Sequence, residues 1–197
     1  RTKWQKGQIP AALFSDILRL ELLVKYGGTW IDSTVLCTGF KEGTPSEDYK
    51  KLLDADLFLF QYTLPESKQF GGIGNWFISA HSNNEVLMAL RDVLYAYWRD
   101  YDCTIDYYIF HLMFAEIVRQ CPDVFERMPY AYASNSLVLL HHWADKYDEN
   151  KFCKFTSRVA FHKLSNRPKQ EVTRDEENYY NAMVRQYKIQ ESLNIII

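Results

Sequence analysis

Apolar residues recur at helical spacing near the start of the chain. Leu13, Ile17, Leu20 and Val24 fall on one stripe, and Pro10 before Ala11-Ala12-Leu13-Phe14 marks a helix start. Gly27-Gly28 stops that helix, because glycine adopts a left-handed C-cap cheaply. The next segment, Thr29 to Cys37, is rich in β-formers and predicts a strand interrupted near Asp32. A polar loop with one helical turn is expected from Thr38 to Asp54. Leu57 to Tyr62 then reads as a buried strand, Gly71 to Gly74 as a joint, and Asn75 to Ala80 as a further strand. From Asn84 the pattern turns helical. Helices are expected over Asn84–Tyr101, Ile105–Gln120, Ser136–Trp143 and Glu149–Thr156. A late strand at Val159 to His162 precedes a helical tail from Arg174 to about Gln190. Early strands and late helices predict an α/β fold with a helical C-terminal cap, read as a single domain over 1–197.

Composition narrows the functional classes. The 197 residues are 47% hydrophobic and 24% charged, as in ordinary globular proteins. A formal charge of −2 with scattered Lys and Arg leaves no basic patch for nucleic acid, so no nucleic-acid partner is expected. No segment approaches the roughly 18 apolar residues of a membrane span, and no signal-peptide pattern is present. Aromatic residues make up 16%, and most are expected in the core. Cys37, Cys103, Cys121 and Cys153 lie far apart without a C-x-x-C pair. Four reduced, mostly buried thiols and a cytoplasmic location are therefore expected, with peripheral contact at the inner membrane face left open.

The candidate chemistry is concentrated in residues 15–34. Asp16 and Arg19 sit three apart and so share a helix face. By spacing alone they form an exposed ion pair worth only a few tenths of a kcal/mol. Their position just before Gly-Gly and a strand bearing Asp32 gives them another meaning. Asp is disfavoured in strands, and a carboxylate at a strand end is where an α/β enzyme places a ligand or metal. As a turn former, Asp32 has an equally plain structural role. If the strand continues, alternation puts Asp32 and Thr34 on one face, offering hard oxygen ligands suited to Mg²⁺ or Mn²⁺. Asp106 precedes Tyr107-Tyr108 and either begins a helix or faces an acceptor. His162-Lys163 follows the late strand, where the Lys is either a surface charge or a clamp for a leaving group. The neighbouring His141 and His142 cannot share one helical face, so a zinc site there is not expected.

Ala12, Ser15, Asp16, Arg19, Leu23, Gly27, Gly28, Trp30, Asp32 and Thr34 together resemble the signature of capsular polysaccharide synthesis proteins. These are similar to the family 32 glycosyltransferases with a DXD sugar-binding region, and more distantly to glucosylating bacterial toxins. Asn75 to Ala80 and Phe161 to Leu164 resemble later blocks of the family, so the likeness covers most of the chain. The resemblance implies a GT-A-like core and a nucleoside-diphosphate sugar donor. It also implies a glycan or lipid-linked acceptor and a divalent Mn²⁺ or Mg²⁺ cofactor. By the same resemblance Asp16 and Arg19 would be catalytic, and Asp106, from its place before the aromatic helix, is the third catalytic candidate. Asp16, Arg19, Trp30, Asp32, Ser33, His162 and Lys163 would bind the donor, and Asp32, Thr34 and His162 would hold the metal. Thr34 departs from the second Asp of the wider family, which removes one negative charge from the metal site. Residues 84–157 would form a helical acceptor-side region.

In the family a base-binding strand–helix–strand unit precedes the Ser-Asp-x-x-Arg helix. Only about ten residues precede it here, so the core is expected to lack its N-terminal part. The expected function is a sugar transfer, retaining by resemblance, in surface or capsular polysaccharide synthesis. The alternative is a truncated or non-catalytic protein that binds sugar nucleotides or glycans. A metal-dependent phosphohydrolase is disfavoured, because no second carboxylate stands at convincing spacing from Asp32.

Overall fold

A computed structural model describes residues 9–64 and 72–187. Gly71 of the expected glycine joint, the opening Arg1 to Trp4 and positions 188–190 of the expected tail helix lie outside the described residues. The fold is mixed α/β, with small sheets and many helices. In chain order the elements are α1 (Ala11–Tyr26), β1 (Gly28–Ile31), β2 (Val35–Cys37), a 3₁₀ turn (Pro45–Asp48) and α2 (Tyr49–Leu52). They continue with β3 (Leu57–Gln61), β4 (Ile73–Ala80), α3 (Glu85–Asp100), α4 (Ile109–Gln120), α5 (Pro122–Arg127), α6 (Ala133–Ser136) and α7 (Val138–His142). The chain ends with α8 (Glu149–Arg158), β5 (Phe161–Lys163), α9 (Gln170–Arg174) and α10 (Tyr179–Tyr187). No helix among the described residues is long and apolar enough to cross a membrane.

The described residues form two compact units, one drawn from 1–32 and 50–133 and the other from 33–49 and 134–197. In the first, β1, β4 and β3 make an antiparallel sheet with β4 in the centre. Gly28 of β1 stands opposite Ala80, and Ile31 opposite Phe77. Leu57 to Leu59 of β3 pair with Ala80 to Ile78, but Phe60 then pairs with Gly74. Residues 75–77 of β4 therefore bulge out of the β3 ladder, a device that re-aims side chains. One sheet face supplies Leu57, Leu59, Ile73 and Ile78 to a core shared with Leu13, Ile17 and Leu20 of α1, Leu87 and Leu90 of α3, and Phe110 and Phe114 of α4. Each such buried side chain contributes roughly 1.5–3 kcal/mol. The other face carries the edge-to-face rings Phe58, Phe60 and Phe77, with Trp76 stacked 4.5 Å from Phe60.

In the second unit β2 pairs with β5 antiparallel, Val35 opposite Lys163 and Cys37 opposite Phe161. Leu139, Phe152, Tyr179 and Met183 form its core, with Leu36, Trp143 and Phe155 packed against them. Asp148 caps α8, its side chain accepting from the Lys151 amide at 3.0 Å.

Several expectations need correction. The strand expected from Thr29 to Cys37 is interrupted at Asp32 as expected, but its two halves lie in two different sheets, joined by a turn at Ser33-Thr34. Side-chain alternation therefore does not relate Asp32 to Thr34. The helix expected from Ile105 begins at Ile109, because Asp106 closes a turn by accepting the Tyr108 amide at 2.7 Å. His162 and Lys163 lie within β5 rather than after it. All four cysteines are free, as expected, but exposed rather than buried. Cys103 and Cys121 sit in connections between helices, and Cys37 and Cys153 lie on outward positions of β2 and α8.

The α1–β1 junction sets where β1 leaves the helix. Gly27 has φ of +66°, and its amide closes the helix on the Leu23 carbonyl at 2.8 Å. A Cβ at Gly27 would lie 2.7 Å from the Ser82 amide nitrogen, whereas one at Gly28 (φ +91°) would meet nothing within 4 Å. Gly27→Ala is expected to cost about 2–4 kcal/mol, from the left-handed backbone plus the clash. Gly28→Ala is expected to cost only the conformational part, about 1–2 kcal/mol. Urea unfolding of the two variants measures the difference; equal losses would mean that the close approach at Gly27 is relieved by movement.

Candidate functional site

The stripe that buries α1 also buries a charged pair. Asp16 and Arg19, expected from spacing to be exposed, retain only 8% and 6% of their side-chain exposure. Arg19 Nη2 lies 3.3 Å from Asp16 Oδ1 and 3.6 Å from Asp32 Oδ1, so one guanidinium faces two carboxylates. Other donors of the same group are engaged as well. Nη2 donates to Ser15 Oγ at 3.0 Å, Nε to the Ser15 carbonyl at 3.3 Å, and Nη1 to the Asn75 carbonyl. The guanidinium also lies over the Trp30 indole, 5.1 Å from its centroid.

The β4 bulge supplies the other wall. Asn75 donates its side-chain amide to Asp16 Oδ1 at 2.9 Å, while its carbonyl takes Arg19. The Trp76 carbonyl accepts the Asp32 amide at 2.9 Å and so ties the end of β1 to the bulge. Trp30 Nε1 donates to Asp32 Oδ1 at 3.0 Å. Trp76 Nε1 donates to the Tyr62 hydroxyl at 3.2 Å, and burial raises the Tyr62 phenol above its ordinary range. Asp32 keeps 27% side-chain exposure and is the open carboxylate of the cluster.

Burial pushes the Asp16 carboxyl up to about 6. Arg19 opposes that rise, Asp32 adds to it, and the Asn75 hydrogen bond opposes it. A buried ion pair is weak evidence for stability, since desolvation consumes most of the attraction. Its retention beside an open carboxylate points to chemistry. Asp16, Asp32 and Asn75 offer acceptors and a donor at fixed positions around one cation, a set suited to polyhydroxylic or anionic ligands.

Asp106 stays outside this cluster, exposed in its turn. Ser33, Thr34, His162 and Lys163 belong to the second unit. There the Lys163 ammonium donates to the Thr34 hydroxyl and to the Leu164 carbonyl. His162 is fully buried, with Nε2 3.2 Å from the Thr38 hydroxyl and Nδ1 buried without a hydrogen bond. Burial holds its imidazole down at about 4, with the Lys41 charge acting the same way against a hydrogen bond to the Val159 backbone. Among the described residues no group of three or more His, Cys, Asp or Glu is arranged to hold a metal ion. Of the three expected ligands, His162 is enclosed and Thr34 is occupied by an ammonium. The donor set thus fits a hard cation only through the Asp32 carboxylate, as for Mg²⁺-type ions that take their other oxygens from phosphate and water.

Three residues of this region carried no role in the sequence reading. Asn75 and Trp76 stood in a quoted block, where a polar amide opening an apolar strand was the available signal. His111 gave no signal, because a helical histidine between Phe110 and Leu112 reads as core. Its imidazole is pushed down to about 4 by burial and by the Arg19 charge.

Two stability profiles follow. Asp16 binds its proton more tightly folded than unfolded, so its contribution is present below the unfolded carboxylate range and is lost as pH rises through about 6. Relative to Asp16→Asn, the native chain should lose about 2 kcal/mol of unfolding free energy between pH 4.5 and 7.5, read from urea curves. A constant difference would remove the raised carboxyl. His162 runs the other way: its folded value lies below the unfolded one, so stability falls as pH drops from about 6.5 towards 4. His162→Gln should reduce that acid loss by about 3 kcal/mol, and an unchanged acid limb would place the sensitivity elsewhere.

No curated protein and no solved structure matches the chain significantly. A family model does. The sequence model of the capsular polysaccharide synthesis proteins matches residues 1–183, a span that contains the buried Asp16–Arg19 pair, Asp32 and Asn75, and the chain belongs to that family.

Proposed function

We propose that the chain is a glycosyltransferase of capsule biosynthesis, moving a sugar from a nucleoside-diphosphate donor to a glycan or lipid-linked acceptor. One observation carries the reading: a buried Asp16–Arg19 pair, braced by Asn75, adjoins the partly exposed carboxylate of Asp32. Membership of a capsule-synthesis family supports the same class of chemistry. The proposed fold type is GT-A-like, and retained configuration is the stereochemistry that the resemblance implies.

In this reading Asp16 accepts from donor-sugar hydroxyls, and Arg19 fixes both Asp16 and the sugar-phosphate end of the donor. Orientation by groups already held in place lowers the barrier without reorganisation during the reaction. Trp30 positions Asp32 through its indole N–H. A bound Mn²⁺ or Mg²⁺ would supply charge neutralisation at the departing diphosphate, and Asp32 is the residue proposed to hold it. The inner face of the cytoplasmic membrane is the proposed place of action.

Release of nucleoside diphosphate from UDP-glucose, UDP-galactose and GDP-mannose in the presence of Mn²⁺ tests the proposal. Asp32→Asn should lower the rate at least about 100-fold, and Arg19→Lys should lower it by a similar order, because the planar fork is lost while the charge is kept. Full activity in Asp32→Asn would remove that carboxylate from the mechanism. Donor binding without turnover in the native chain would favour a non-catalytic sugar-nucleotide binder.

A further inference from the structure

His111 is the third residue of α4, and its neighbours Ile109 and Phe110 are buried in the same core as Leu13 and Ile17 of α1. Its ring stands edge-on to Tyr108, 5.4 Å between centroids, and to Phe110 at 5.7 Å. Nδ1 is buried and makes no hydrogen bond, yet the residue as a whole is only half-buried. The edge left towards solvent is therefore Nε2.

Burial settles its state: with much of the ring desolvated, and the Arg19 charge acting the same way, the imidazole is neutral at physiological pH. A neutral imidazole has one proton, and an orphaned buried N–H is rarer and costlier than an unused buried lone pair. The proton therefore belongs on Nε2, and the lone pair on the enclosed Nδ1. Such a group is a fixed, uncharged donor within reach of the Arg19 charge, on a helix that shares its core with α1. Phosphate is held best by charged donors, whereas a neutral N–H matches a hydroxyl oxygen. The half-turn before it presents Tyr108 with 59% exposure, an aromatic face of the kind that covers the C–H face of a sugar ring.

Resting on the glycosyltransferase reading above, we propose that His111 is a specificity-determining residue that donates Nε2–H to a hydroxyl of the donor's sugar. It reads the transferred group rather than the nucleotide.

Calorimetry on the full chain with UDP, GDP, UDP-glucose, UDP-galactose and GDP-mannose tests this. His111→Phe should weaken binding of the preferred sugar nucleotide about tenfold or more, while leaving the matching nucleoside diphosphate within about twofold. His111→Gln, which keeps an N–H donor and removes the aromatic packing, should recover most of the lost affinity. Equal weakening of sugar nucleotide and diphosphate, in His111→Phe and His111→Gln alike, would make the residue merely structural and overturn the proposal. Unchanged sugar-nucleotide binding in both variants would overturn it while leaving the donor reading intact. If the native chain binds none of the five probes, the donor reading fails and this inference fails with it.

Discussion

The first unit is organised around the burial of one guanidinium. A guanidinium carries its charge into the interior, so the enclosure of Arg19 requires acceptors for its donors and a counter-charge close by. Ser15 from its own helix, the Asn75 carbonyl from the sheet, and the carboxylates of Asp16 and Asp32 meet that requirement. Removing any one acceptor leaves a buried charge under-satisfied, a loss several times larger than that of an exposed pair. The geometry of the site is thus set by the cation rather than by either carboxylate. Asp16 reflects this: its carboxyl is pulled up by burial and by Asp32, and down by the arginine it serves.

That constraint explains two irregular features of the backbone. An unbroken β3–β4 ladder would point Asn75 by simple alternation and would hold its carbonyl in the sheet. The register shift between Leu59 and Phe60 frees 75–77 from β3, so the Asn75 carbonyl can take Arg19 while its amide takes Asp16. The second feature is the glycine pair. Gly27 turns the chain where the Ser82 backbone leaves no room for a side chain, and this brings β1 beside β4 with Asp32 next to Trp76. Helix, turn and bulge are separate local irregularities that serve one electrostatic centre.

Those parts were unequally legible in the sequence. The α1 stripe, its glycine stop, and the strands near 57–62 and 75–80 follow from periodicity and punctuation, which are local signals. The burial of Asp16 and Arg19 is not local. Their spacing is that of any surface pair, and only the sheet that closes over them decides otherwise. The break near Asp32 was legible, but that the strand resumes in a different sheet was not, because the turn at Ser33-Thr34 redirects the chain by pairings distant in sequence. His111 was invisible for the same reason: the burial that lowers its imidazole, and the Arg19 charge that adds to it, come from elements distant in sequence. The cysteines show the converse error. A preference for burial is a statistical tendency, and these four occupy connections and outward faces that the apolar stripes do not claim.

The departure at position 34 also has a physical setting. Thr34 begins the turn into β2, and its hydroxyl accepts the ammonium of Lys163 from the paired strand β5. A carboxylate at 34 would meet that ammonium first and would be spent on an ion pair there. The threonine satisfies the lysine without adding charge, and Asp32 remains the one open carboxylate of residues 32–34. Arg19 stands 3.6 Å from that carboxylate. Coulomb attraction at such a distance offsets part of what a divalent ion would gain by binding there, since both cations draw on the same charge. A ligand bringing its own negative oxygens relieves this competition, because a diphosphate can satisfy both positive partners. In the glycosyltransferase reading proposed above, the cluster therefore suits a cation that arrives with an anionic, oxygen-rich ligand better than a cation alone.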